Sequence, residues 1–261
     1  MMNVSDPLAT ARLFDEARQA RRLANLSPEV MPHTIEDGAS VQVAMAQLRG
    51  DTVAGFKIGA TTKAMQTYLG LPGPAAGYIA ATGVHPSGAR LSYADFYNPG
   101  IECELAVRLG RDLPAGPCTR AEAEEAVGEV MAAIEIVENR YGDLAEFGTP
   151  ALIADQVFHA GAVLGEAPAR DWRLLDIANL RGRVAVDGEV RGEGLATDLM
   201  GHPINCLMWL AGSAVAAAFG GLLSGQTIML GSVTPPIWLE RPAQVVVAFD
   251  DLPVVTLDLT A

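Results

Sequence analysis

Three acids sit in this chain where apolar strands should carry none. In "NPGIECELAVRLGRD" (98–112), Glu102 and Glu104 are one residue apart, among Ile101, Cys103, Leu105, Ala106 and Val107. On a strand, residues i and i+2 face the same way with Cα atoms about 6.5–7 Å apart. Two carboxylates so placed repel, and burial raises their pKa values. In "AAIEIVENR" Glu135 is similarly set amid Ala133, Ile134, Ile136 and Val137. Unpaired charge is rarely buried because desolvation is costly. A divalent cation bridging the three carboxylates removes that cost, and an all-oxygen ligand set with positions left for water suits Mg²⁺ or Mn²⁺. The rival reading makes these edge strands, each with one wet face. Spacing alone leaves both open.

Other residues could work with such a centre. Lys57 in "GFKIG" has only apolar residues and glycines around it, which lets backbone and ligand approach closely and places the ammonium in low-dielectric surroundings suited to proton transfer. A lysine snorkelling from a strand end is the plainer alternative. Arg140, close behind the third acid, reads either as an ion-pair partner or as a clamp on a substrate carboxylate. In "GSVTPP" (231–236), the hydroxyls of Ser232 and Thr234 and the backbone amides of a glycine loop can hold a carboxylate. His202 precedes a helix and reads as structural. Phosphate and dinucleotide loops are absent: no G-K-[ST] follows Gly55 and Gly59, and "GLPGPAAG" lacks the strand–helix context.

The elements that must carry these residues fall into two parts. Residues 1–51 read as a helical segment. Charged and apolar positions interleave from Leu13 to Arg21, and a second helix in "SVQVAMAQLRG" starts near Asp37 or Ser40 and ends at Gly50. From 52 to 261, short apolar runs alternate with Gly and Pro, the pattern of many short strands, with Asp187-Gly188 marking a hairpin. Two helices interrupt them: "TRAEAEEAVGEVMAA", opened by a Thr119/Glu122 capping box, and the Ala-rich "NCLMWLAGSAVAAAFGG". The fold class is α+β.

Composition narrows the partners. Half of the 261 residues are hydrophobic and 19% are charged, as in a globular chain. The net charge of −13, from 18 basic and 31 acidic residues, argues against nucleic acid and anionic membranes. The N-terminal stretch lacks the apolar core of a signal peptide, and "WLAGSAVAAAFGGLL" is too short to cross a bilayer. Cys103, Cys118 and Cys206 show no metal spacing and are odd in number, which points to reduced thiols in a cytoplasm. The Ala/Gly-rich helix and many short apolar strands point to a homo-oligomer of unspecified size.

In order, "GFKIGATT", "IECELAVRL", "AAIEIVENR" and "GHPINCLMWLA" resemble the fumarylacetoacetate hydrolase superfamily, in its 2-keto-4-pentenoate hydratase and 4-oxalocrotonate decarboxylase branch, over residues of about 10 to 258. The resemblance implies a mixed β-roll and makes Glu102, Glu104 and Glu135 the ligands of Mg²⁺, with Mn²⁺ as substitute. It places Lys57 beside the substrate. It implies a lyase, hydratase or decarboxylase, acting on a 2-oxo or 2-hydroxydienoic acid from aromatic-compound catabolism through a metal-bound enolate, with a pathway partner enzyme as a further contact. Acylpyruvate-type C–C hydrolase, tautomerase and inactive assembly subunit are the alternatives; in the hydrolase, His159 could activate water.

Two places depart from the hydratase pattern. Pro74, Ala75 and Ala76 stand where hydratases carry an acid, and "DQVFH" (155–159) replaces D-N-[AG]-S. Asp155 is kept as a substrate-binding candidate, while small polar residues give way to Phe158 and His159. Water addition needs positioned polar groups, so this predicts weak hydratase activity, with decarboxylation or another enolate-forming cleavage dominant.

Overall fold

The computed structural model describes residues 6–24, 27, 29–140 and 144–261. The first five residues of the expected helical segment lie outside them. Helix α1 (Pro7–Gln19) starts at the Asp6 cap with Pro at N1, and α2 (Ile35–Arg49) starts at Thr34. Asp37 is therefore not the start of α2 but the N3 partner of Thr34 in a capping box, and Ser40 lies a turn inside. Gly50 ends the helix in the left-handed conformation, as expected.

The chain then builds two mixed sheets. Strands β1 (Val53–Gly59), β2 (Ala75–Ala80), β3 (Val84–Pro86), β4 (Ala89–Ser92) and β5 (Pro99–Leu109) come first, with α3 (Lys63–Leu69) between β1 and β2. Then follow α4 (Arg120–Ala126), β6 (Val127–Glu138), α5 (Leu144–Ala154), β7 (His159–Leu164), β8 (Arg181–Val186) and β9 (Glu189–Leu195). The last part holds α6 (Pro203–Ala211), α7 (Ala214–Ala218), β10 (Thr227–Ser232), β11 (Ile237–Trp238), β12 (Ala243–Phe249) and β13 (Val255–Thr260). One sheet runs β2-β1-β10-β5-β6-β7-β3, with β11 also on β5; the other runs β4-β13-β12-β8-β9. Asp187 and Gly188, both at positive φ, make the β8–β9 turn as expected.

Two expected helices are shorter than the sequence suggests. The Thr119/Glu122 box is present, but α4 stops at Ala126 and the next twelve residues are strand. Pairing along the whole of β5 overrides the helical propensity of "GEVMAA". The Ala-rich stretch breaks at Gly212, and Ser213 caps a second short helix.

Strand parity sorts the large sheet. Ile101, Cys103, Leu105 and Val107 join the main core with Phe56, Ile58, Ile134 and Ile136. The other face carries a small cluster of Ile79, Ala106, Met131, Ala133, Ala162 and Met229. On that face, in register, lie Lys57, Glu102, Glu104 and Glu135. The strands bearing the acids are not edges: β5 has β10 on one side and β6 on the other, so the wet-edge reading fails. The N-terminal helices dock at the β2 edge of this sheet and on α5, where Gln42 of α2 donates to the carbonyls of Ala76 and Ile153 and accepts from the Tyr78 amide.

Candidate metal centre

Glu102 and Glu135 are direct cross-strand partners on β5 and β6, the arrangement in which like charges repel most. One ligand oxygen from each of Glu102, Glu104 and Glu135 lies within 4.8 Å of the others. Glu104 and Glu135 are buried and Glu102 is partly exposed. Lys57 Nζ lies 3.1 Å from Glu135 Oε1 and donates to the Val157 carbonyl at 2.8 Å. His159 Nδ1 sits 2.8 Å from the same Glu135 oxygen. A carboxylate can only accept, so Nδ1 carries the hydrogen. Glu104 Oε2 accepts the Gly231 amide at 2.7 Å. The expected lysine, three acids and His159 are thus brought together.

Charge and solvation at this centre do not balance internally. Burial first, and then the Glu135 charge, push Glu102 up to about 8. The same causes, with Glu102 added, push Glu104 well above the carboxylate range. Burial would raise Glu135 too, but Lys57 and His159 outweigh it and hold this acid down. Burial lowers His159, leaving a neutral imidazole. When ionised, three carboxylates against one ammonium leave two negative charges over. Glu135 Oε2 is buried and has no hydrogen-bond partner. An excess of two charges, an orphaned oxygen and an all-carboxylate donor set fit a hard divalent cation.

A cavity of about 40 Å³ opens beside Lys57 and Glu102, with Asn139 as a further polar neighbour and Met65, Val137, Phe158 and Trp238 as apolar walls. Met65 also borders a larger outer cleft of about 620 Å³ that reaches Lys63, Asp198, Ser232 and Thr234. None of Glu102, Glu104 and Glu135 lines the larger space, whereas Lys57 and Glu102 line the smaller one.

The remaining candidates are placed differently. The Ser232 hydroxyl is spent on its own loop: it donates to the Thr234 carbonyl at 2.7 Å and accepts the Cys103 amide at 3.1 Å. The buried Thr234 hydroxyl has no hydrogen-bond partner among the described residues, and Thr234 borders the outer cleft. Arg140 and Asp155, expected on the substrate, line neither space. Both are buried in an ion network, with Arg140 bridging Asp155 and Glu138. The side chain that completes it, Arg18 of α1, has no signature in the sequence, because its partner is 137 residues away. His202 caps α6 with its ring, a structural role as expected.

Residues 62–259 match the family model "Fumarylacetoacetate (FAA) hydrolase C-terminal". A mixed roll with an acidic triad on one sheet face is thus the fold of a known class, and this chain belongs to the fumarylacetoacetate hydrolase family. It is 31% identical over 230 residues to a 2-hydroxyhexa-2,4-dienoate hydratase of Comamonas testosteroni, covering 86% of each chain. It is 29% identical over 229 residues to a 4-oxalocrotonate decarboxylase of a Pseudomonas species, covering 87% of this chain and 81% of that one. The fold matches the 4-oxalocrotonate decarboxylase of Pseudomonas putida G7, complexed with magnesium and adipate, at a TM-score of 0.85 and 23% identity over 97% of both chains. No helix among the described residues is long and apolar enough to cross a membrane.

Proposed function

We propose that this chain is a divalent-metal-dependent lyase acting on a 2-oxo or 2-hydroxydienoic acid, with decarboxylation favoured over addition of water. The observation that carries it is the buried Glu102–Glu104–Glu135 cluster, with an unpartnered Glu135 oxygen and Lys57 at 3.1 Å, opening on a cavity with mostly apolar walls. The three glutamates would hold Mg²⁺ or Mn²⁺, which supplies Lewis acidity to the 2-oxo end of the substrate.

The chain's own residues divide the rest of the work. Glu135 and the Val157 carbonyl take two of the three N–H donors of the Lys57 ammonium, and the third remains for the substrate. In decarboxylation, the electron pair of the breaking C–C bond passes into the conjugated 2-oxo system, and Lys57 delivers a proton to the carbon chain. His159 donates to Glu135 and so fixes the acid against which the lysine rests. The Thr234 hydroxyl is available to a substrate carboxylate. Phe158, Val137 and the ring of Trp238 wall the cavity with apolar surface, which favours loss of a poorly solvated carboxylate.

Water addition is the second reading, favoured by the hydratase name of the 31% identical relative. NMR of the Mg²⁺-loaded protein with 2-oxohex-3-enedioate and, separately, with 2-hydroxypenta-2,4-dienoate tests between them. Decarboxylation of the first should outrun hydration of the second. Rapid metal-dependent formation of 4-hydroxy-2-oxopentanoate from the dienoate would overturn the preference. The setting that goes with this reading is aromatic-compound breakdown in the cytoplasm by a homo-oligomer, in keeping with three free cysteines.

A further inference from the structure

The chain between α5 and β7 has an unusual backbone. Gln156, Val157 and Phe158 all have positive φ, at 56°, 53° and 68°. Three successive left-handed L-residues, one of them β-branched, are disfavoured by contact of Cβ with the following carbonyl. Such a conformation persists only where its surroundings impose it.

Here they impose it from every side. Ahead of the turn, Arg18 donates from Nε and Nη2 to Asp155 Oδ1 at 3.0 and 2.7 Å, and from Nη2 to the Asp155 carbonyl at 3.1 Å. Arg140 takes the other carboxylate oxygen at 3.2 and 2.9 Å. Within the turn, Gln156 Nε2 donates to the Tyr78 carbonyl at 2.8 Å. Beneath it lies Gly77, where a Cβ would come within 2.6 Å of the Gln156 oxygen. The outcome is that the Val157 carbonyl meets Lys57 Nζ at 2.8 Å. Arg18 reaches both the carboxylate and the main-chain oxygen of Asp155, and so fixes the backbone where the turn begins.

We propose that Arg18 is a positioning residue for Lys57: through Asp155 it sets the left-handed turn, and the turn's carbonyl sets the lysine. The proposal rests on the reading of Lys57 as the proton-transfer residue. It gives the N-terminal helix a part in the chemistry, although that helix precedes the family-matched region 62–259.

The test is a double-mutant cycle on the full chain with Mg²⁺ and 2-oxohex-3-enedioate, using Arg18→Lys, Gly77→Ala, Lys57→Ala and the two doubles with Lys57→Ala. Lysine keeps the charge at 18 but cannot span two oxygens as the guanidinium fork does. Arg18→Lys should lower kcat about tenfold or more, the scale of a small misplacement of a reacting group. KM and Mg²⁺ affinity should stay within about twofold, the signature of a loss confined to the transition state. Gly77→Ala, which leaves the ion network intact, should do the same and carries the test alone if Arg18→Lys does not fold. Both losses should vanish in the Lys57→Ala background, because residues acting through one group are not additive. Unchanged kcat in the folded single variants, or equal losses with and without Lys57, overturns the proposal while leaving the lysine's role intact. Wild-type turnover in Lys57→Ala removes the lysine's role, and the proposal with it.

Discussion

Two clusters of buried charge lie on either side of the left-handed turn, and they are built on opposite principles. In the first, Arg18 and Arg140 face Asp155 and Glu138, two cations to two anions. Both oxygens of Asp155 accept from guanidinium groups, and Glu138 takes Arg140 on one oxygen and the Tyr97 amide on the other. In the second, three carboxylates share one lysine, Glu135 keeps an oxygen without a partner, and Glu102 and Glu104 are pushed toward protonation. Among the described residues the first cluster balances its charge. The second, when ionised, is short of two positive charges, and that deficit, more than the presence of acids, is what suits it to a divalent cation.

The comparison can be broken most directly by removing an acid from the second cluster. Glu104→Ala should reduce bound Mg²⁺ or Mn²⁺ from about one ion per chain to none, since it removes one of the three carboxylates that would hold the ion. Equal metal content by elemental analysis in variant and wild type would sink the assignment. Lys57→Ala should leave metal bound but slow turnover by about 10²–10⁴, the usual worth of a proton-transfer group. Lys57→Arg should not restore the rate, because arginine stays charged at neutral pH.

The first cluster should answer in stability rather than in metal content. Asp155→Ala takes a carboxylate partner from two guanidinium groups at once and should cost about 3–5 kcal/mol in denaturant unfolding while Mg²⁺ still binds. A variant that keeps its stability but loses metal would reverse the roles given to the two clusters.

The pH dependence of the metal-free protein offers a gentler probe. Glu102 titrates near 4.5 when unfolded and about 8 when folded, so between those values the folded state binds the extra proton. Stability contributed this way is present below about 4.5 and lost as pH rises toward 8. Glu104 acts in the same direction. Glu135, held low, acts oppositely, and its contribution disappears only on acidification below 4.5. The unfolding temperature of the metal-free protein should therefore fall from pH 5.5 to pH 8. Mg²⁺ at a hundredfold excess over its Kd should add about 2.7 kcal/mol. A given concentration of the ion should stabilise more at the higher pH, because it binds deprotonated carboxylates. A metal effect independent of pH in calorimetry would count against buried protonated acids.

The smallest effects separate two neighbouring hydroxyls. Ser232→Ala removes loop hydrogen bonds and should cost about 1 kcal/mol of stability. Thr234→Val removes a hydroxyl that has no partner, so it should leave stability unchanged or slightly higher and raise KM. Equal KM values for Thr234→Val and wild type would exclude that hydroxyl from substrate binding.

What the sequence determined was everything written in residue type and short spacing. Glu102 and Glu104 at i and i+2 had to share a face of any strand, and Glu135 among branched apolar residues had to be buried with them or near them. The Thr119/Glu122 box and the Gly50 stop were likewise local and are present in the fold. The end of α4 was not local: helix-favouring residues became strand because eleven residues of β5 were there to pair with.

Tertiary structure decided how charges were shared out. The β5–β6 register sets Glu102 opposite Glu135, and a slip of one residue would have turned the acids to the other face. Nothing near Asp155 in the chain says that Arg18 will neutralise it, nor does anything near Lys57 say that the carbonyl of Val157, a hundred residues on, will hold it. A backbone oxygen has no side-chain signature, and a long-range ion pair has no spacing. Periodicity and residue type are properties of neighbours along the chain, whereas the balance of buried charge belongs to neighbours in space.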